Sequence, residues 1–194
     1  METRNSHGLD QFCATLLERE GQAVLDLGGV NQGTVSFITE NHNRLTPEDF
    51  VVEFEECFGV GEDQETNQAD PERIRAFGRA VFDFPNDHFD SILLWDALEV
   101  VSPELAPLVI AELYRVIRPG GAILALFHTE EAAKRPGNYS YRIHDRKAMA
   151  MVPRKRNSPR VFYSNRHLER MFGAFQSVKF FLARDHLREI LVRK

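Results

Sequence analysis

Ala23-Val24-Leu25-Asp26-Leu27-Gly28-Gly29-Val30-Asn31-Gln32-Gly33 is the most informative stretch of the chain. A short apolar run meets a glycine turn, and Gly33-Thr34 then opens a helix that offers Val35, Phe37 and Ile38 to a sheet. Parallel α/β sheets bind nucleotides at such junctions. Glycine lets the backbone approach a ligand closely, and the following helix points unpaired N–H groups at the same place. The spacing is not G-x-G-x-x-G, because Val30 stands at the second glycine position and the next glycine is Gly33. Taken alone, the stretch reads equally well as a tight strand-to-helix turn.

Outward from this junction the chain alternates strand and helix. Residues 9–20 carry Leu9, Phe12, Leu16 and Leu17 near helical spacing, and Gly21 ends that helix before a strand over 23–27. A second strand falls either on Asn43-Arg44-Leu45-Thr46 or on the alternating run Phe50-Val51-Val52-Glu53-Phe54-Glu55. Gly59 to Gln68 is polar and without period, so it reads as a mobile loop. Phe89 to Asp96 is nearly continuous in apolar residues, as a parallel strand covered on both faces would be. Pro103 to Pro107 starts a helix with a broad apolar face, Pro119-Gly120-Gly121 stops it, and Ala122 to Phe127 is another buried strand. Ser164 caps a helix over 165–172. Ser177–Ala183 and Arg188–Arg193 then form two strands whose short link, Arg184-Asp185-His186-Leu187, requires an antiparallel pair. The order predicts a parallel, doubly wound α/β sheet with an antiparallel end.

The 194 residues, 43% hydrophobic and 27% charged, fit one globular domain with a sizeable core. No stretch approaches the roughly 20 apolar residues that span a bilayer, and Met1 to Ser6 lacks a signal-peptide layout, so a cytoplasmic protein is expected. Cys13 and Cys57 lie far apart without C-x-x-C spacing, which argues against a zinc site or a disulfide. The net charge of −5 is unevenly spread. Acids from Glu48 to Asp70 crowd together between Glu40 and Glu72, and Arg142, Arg146, Lys147, Arg154, Lys155, Arg156, Arg160, Arg166 and Arg170 form a basic run. These blocks read as two solvated surfaces, facing each other within the fold or across a homodimer. Alternatively, the basic run is a lip over an anionic substrate or a nucleic-acid footprint.

Three motifs together give the chain a resemblance to a known family. Val24-Leu25-Asp26-Leu27-Gly28 is followed by Phe84 to Glu99, which contains Ile92-Leu93-Leu94-Trp95-Asp96, and then by Tyr114-Arg115-Val116-Ile117-Arg118-Pro119-Gly120-Gly121. These resemble the first, the acidic-loop and fourth-strand, and the helix-to-fifth-strand motifs of class I S-adenosylmethionine-dependent methyltransferases, in the compact bacterial single-domain branch. The Arg-Pro-Gly-Gly turn is the most specific of the three, and Met171 to Phe175 is similar to a further family motif. The resemblance covers most of the chain. It implies a Rossmann-like, seven-stranded, three-layer sandwich that binds S-adenosyl-L-methionine and methylates a small molecule.

Carried over by position, the resemblance implies that Gly28, Gly29 and Val30 pass beside the methionine part of the cofactor. Asp26 would anchor that loop or reach the amino group through water. Glu48 or Asp49 would accept from the ribose hydroxyls, since they stand about 20 residues past the first glycine; Glu53 and Glu55 are the other choice. Asp83 and Phe84 would meet the adenine, and Trp95 and Asp96 would border the sulfonium and the substrate. Methyl transfer needs alignment and a dry site more than a fixed triad. For a phenol or alcohol acceptor, His128, His144 or Asp96 could take the proton. The chain departs from the family pattern at Val30, at Val100 where a histidine is common, and in a third strand, for which only Arg79 to Phe82 is available. Two other readings stand beside this one: a methyltransferase-fold binding or regulatory protein with little transfer activity, and a methyltransferase of RNA or protein.

Overall fold

A computed structural model of the chain describes residues 2–133, 138–155, 159–182 and 187–194. Strand β1 (Glu2–Asn5) leads into α1 (His7–Leu16), which starts where the Ser6 hydroxyl accepts from the Leu9 N–H. The decisive junction is β2 (Ala23–Asp26) followed by α2 (Gln32–Glu40), whose first turn is capped by the Asn31 side chain on Thr34 N–H at 2.8 Å. After it come β3 (Arg44–Pro47), α3 (Phe50–Phe58), α4 (Gln64–Asn67), α5 (Pro71–Phe82) and β4 (Phe89–Trp95). A 3-10 turn over Ala97–Val100, α6 (Ala106–Val116), β5 (Ile117–His128) and α7 (Glu130–Ala133) continue the alternation. The chain closes with β6 (Tyr139–Asp145), β7 (Ala148–Pro153), α8 (Asn165–Met171), β8 (Ser177–Leu182) and β9 (Leu187–Arg193).

Among the described residues the main sheet has six strands, in the order β3-β2-β4-β5-β9-β8, where seven were expected. β3, β2, β4 and β5 run parallel, while β9 is antiparallel to both β5 and β8. The terminal pair is therefore antiparallel, as its short link requires; residues 183–186 of that link lie outside the described residues. No strand forms over Arg79 to Phe82, which are the last turns of α5. Asp70 caps that helix and Pro71 opens it, so its start is fixed locally and it runs on through the segment where a strand was expected.

Of the two places for the second strand, β3 takes the first, and Phe50 to Phe58 is helical. Asp49 accepts from Val52 N–H, and the i, i+4 row Phe50, Phe54, Phe58 faces inward. The polar stretch after Gly59 holds helix α4, with Gln64 and Gln68 buried, so it is not a bare loop. Gln68 accepts from Ser102 N–H at 2.6 Å and pins α4 beside the 3-10 turn.

The basic segment holds a hairpin that the sequence did not announce. β6 and β7 pair antiparallel, and β1 adds to β7, giving a second sheet in the order β1-β7-β6. One face of the main sheet is covered by α3, α5, α6 and α8 through the cluster that contains Phe50, Phe77, Leu98, Leu113 and Phe172. The other is covered by α1, α2 and the small sheet through Phe12, Ile38, Trp95, Tyr141 and Met149. The small sheet is fixed to the start of α2, where Ile143 N–H donates to Thr34 Oγ1 at 3.1 Å. It thereby lies beside the carboxyl ends of the parallel strands, the end at which such sheets carry their ligands. No described helix is long and apolar enough to cross a membrane.

Candidate functional site

Strand β2 ends on Asp26, which is fully buried. Its Oδ1 accepts from Gly28 N–H at 3.0 Å and from the Trp95 indole N–H at 2.7 Å, and its Oδ2 is buried without a partner. Burial pushes the Asp26 carboxyl up to about 6 from an ordinary 3.8, against the opposing pull of the Gly28 and Trp95 donors. The indole lies directly on the glycine turn: a Cβ on Gly28 would stand 2.6 Å from Trp95 Cδ1. Gly29, at φ +80°, faces Asp49, whose Oδ2 would be 2.7 Å from an added Cβ. Its N–H donates to Glu48 O at 3.0 Å, while Val30 is 78% exposed. Trp95 itself has φ 52°, a left-handed conformation that is costly for a bulky residue and turns the indole onto the loop.

The structure thus brings Asp26, Gly28, Gly29, Glu48, Asp49, Trp95 and Asp96 to one end of the sheet, with Val30 on the rim. Asp83 and Phe84 are not among them. Phe84 packs edge-on to Phe89, the first residue of β4, at 4.9 Å between ring centres. Trp95 ends the same seven-residue strand, and a strand of that length spans about 20 Å. The adenine contact implied for this pair therefore falls at the wrong end. With no strand before it, the segment follows α5 to the amino end of β4, where Arg115 holds it by the carbonyls of Phe82 and Phe84.

Beyond Trp95 the carboxyl ends of β4 and β5 carry a buried polar chain. Glu99, in the 3-10 turn, accepts from the main-chain N–H of His128 and lies 2.9 Å from its Nδ1. A carboxylate can only accept here, so Nδ1 carries the proton. Nε2 is then the acceptor for the Tyr141 hydroxyl at 3.0 Å, supplied by the small sheet. Burial, reinforced by Asp96 and Glu99, pushes the Tyr141 phenol well above its ordinary value and keeps it a donor. Its ring stacks on Trp95 at 6.3 Å, which joins this chain to the glycine turn.

Asp96 accepts from Arg154 Nη2 at 2.9 Å, and Arg160 Nε stands 3.2 Å from Glu99 Oε2. Asp96, Glu99 and His128 present ligand atoms within 4.8 Å of one another, close enough for a cation. The two guanidiniums already held against the carboxylates would compete with one. Of the three proton acceptors considered from the sequence, His128 alone has a buried carboxylate behind it. His144 is exposed in the β6–β7 hairpin. Glu99 and Tyr141 were not singled out: the first was read within a strand motif, and the second sits in a segment with no periodic signal.

No protein-family model matches the sequence, and no curated protein matches it. Solved structures do. The chain is similar to the 1,6-didemethyltoxoflavin-N1-methyltransferase of Burkholderia thailandensis, solved with 1,6-didemethyltoxoflavin and S-adenosylhomocysteine, at 16% identity and TM-score 0.52, over 96% of this chain and 76% of that one. It is also similar to an S-adenosylmethionine-dependent methyltransferase of Methanosarcina mazei, at 14% identity and TM-score 0.50, over 91% and 93% of the two chains. A third match is an S-adenosylmethionine-dependent methyltransferase of Mesorhizobium loti, at 12% identity and TM-score 0.50, over 95% and 96%. At these identities the likeness is one of fold: the chain has the fold of class I S-adenosylmethionine-dependent methyltransferases.

Proposed function

We propose that this chain is an S-adenosyl-L-methionine-dependent methyltransferase acting on a small molecule. One observation carries the reading: a buried Glu99–His128–Tyr141 chain at the carboxyl ends of β4 and β5, joined through Trp95 to the glycine turn after β2. The chemistry of the donor set fits the cofactor. The free Oδ2 of buried Asp26 is an acceptor for an ammonium group, and the half-buried carboxylates of Glu48 and Asp49 are acceptors for a ribose diol. The bound cofactor supplies a methyl group on a sulfonium. His128 Nε2 takes the proton of an acceptor hydroxyl in place of the one that Tyr141 now offers it, and Glu99 stabilises the imidazolium that forms. Trp95 and Tyr141 keep water from this space.

A specific observation favours a second reading, a methyltransferase-fold binding protein with little transfer activity. The Trp95 indole fills the space beside Gly28, and Glu48 O already takes the Gly29 N–H. Cofactor entry therefore requires the indole to move. Trp95 is the single tryptophan of the chain, so its emission reports that movement directly. Titration with S-adenosylhomocysteine should give saturable heat in calorimetry together with a matching change in tryptophan fluorescence. Absence of both at millimolar ligand overturns the enzyme reading and leaves the binding protein.

A further inference from the structure

Arg154 and Arg160 follow β7, in the basic run that reads in the sequence as a solvated surface. Both are largely covered: the side chains are 20% and 10% exposed. Arg160 stands 3.2 Å from Glu99 through Nε, yet neither its Nε nor its Nη2 has a hydrogen-bond partner. Glu99 Oε2 therefore lies off the N–H direction, and that carboxylate is engaged by the main-chain N–H and ring of His128. Arg154 spends Nη2 on Asp96, and its Nε is likewise buried and unpartnered. Asp96 and Glu99 place ligand atoms within 4.8 Å of each other, so the two guanidiniums stand on neighbouring carboxylates.

Nε and Nη2 form one edge of a guanidinium, with two parallel N–H bonds that match the two oxygens of a carboxylate. Burying such charged donors without a hydrogen-bond acceptor costs folding free energy even beside a carboxylate. We propose that the Arg160 edge, with Arg154 Nε beside it, binds a carboxylate of the methyl acceptor, so that the substrate is a small organic acid. The proposal rests on the methyltransferase reading for the role of that acid.

The test is calorimetric titration of the full chain with benzoate, with its neutral isostere benzamide and with phenyl phosphate, each with and without S-adenosylhomocysteine. Benzoate should bind about tenfold or more tightly than benzamide, the scale of a charge-assisted pair. Arg160→Gln should abolish that preference without changing affinity for S-adenosylhomocysteine. Arg160→Lys, which keeps the charge and loses the fork, should retain only part of the preference, and it serves as the readout if the glutamine variant does not fold. Equal binding of benzoate and benzamide, a preference that survives both substitutions, or tighter binding of phenyl phosphate overturns the carboxylate site. A benzoate preference with no binding of S-adenosylhomocysteine overturns the role as methyl acceptor. S-adenosylhomocysteine binding without a benzoate preference overturns the acid substrate and leaves the methyltransferase.

Discussion

Asp26 is where a single side chain sets the behaviour of the glycine turn. Its folded-state value of about 6 lies above the ordinary 3.8 of an unfolded chain. The folded state thus holds the proton more tightly, and this contribution to stability is fully present below about pH 3.8 and is lost as pH rises through 6. A shift of roughly two units corresponds to about 3 kcal/mol. Asp26→Asn keeps an oxygen for Gly28 and Trp95 and removes the titration. In urea denaturation the wild-type midpoint should fall relative to this variant between pH 4 and pH 6.5; parallel profiles would assign the pH dependence elsewhere. Asp26 was legible as a site residue because it ends an apolar strand. Its bond to an indole 69 residues away was not, since nothing local records it.

Helix α3 illustrates how an element is decided by competition between two patterns. Phe50 to Glu55 alternates like a strand, but Asp49 caps Val52 and Phe50, Phe54 and Phe58 recur at helical spacing, so the helix buries three rings where the strand would bury fewer. Phe77 of α5 stands edge-on to Phe50 at 5.1 Å and to Phe54 at 5.7 Å, and lies 5.3 Å from Phe58. Phe77→Ala should destabilise the protein by about 3–5 kcal/mol, read as a shift in the guanidinium midpoint. A loss under about 1 kcal/mol would mean that the cluster collapses into the cavity. Arg79 to Phe82, the segment expected to form the extra strand, instead end helix α5, which is why the strand count differs from the expected one.

Across the whole molecule, the small sheet is what completes the site, and Glu189 is what ties it down. Buried in β9, its carboxylate accepts from Arg4 Nη1 at 2.5 Å, Ser6 Oγ at 2.9 Å and Gly8 N–H at 2.6 Å, so one side chain joins β1, the start of α1 and the main sheet. Glu189→Ala removes the acceptor from three donors and should cost about 3–5 kcal/mol. Hydrogen exchange should be faster in β7 and β1 than in β4 of that variant. A uniform change, or none, would show that the small sheet is held by its apolar contacts alone. Because β6 brings Tyr141 to His128, loosening this sheet should also weaken any ligand that depends on the polar chain.

The α/β alternation, the parallel strands, the antiparallel pair at the end and the acid-and-glycine junction after β2 can all be read along the chain. Each of these is written in neighbours along the chain: periodicity of apolar residues, caps, glycine turns and the length of a link. Packing in three dimensions made Arg79 to Phe82 helical, formed a hairpin over residues 139–153 paired with β1, and put Asp83 and Phe84 at the far end of β4. It also set Trp95 on Gly28, brought Tyr141 to His128 and left two arginines of a basic run largely covered. Such contacts join residues far apart in sequence through packing, and packing leaves no periodic mark. A charge in a sequence states its sign, but whether water or protein surrounds it depends on what folds over it.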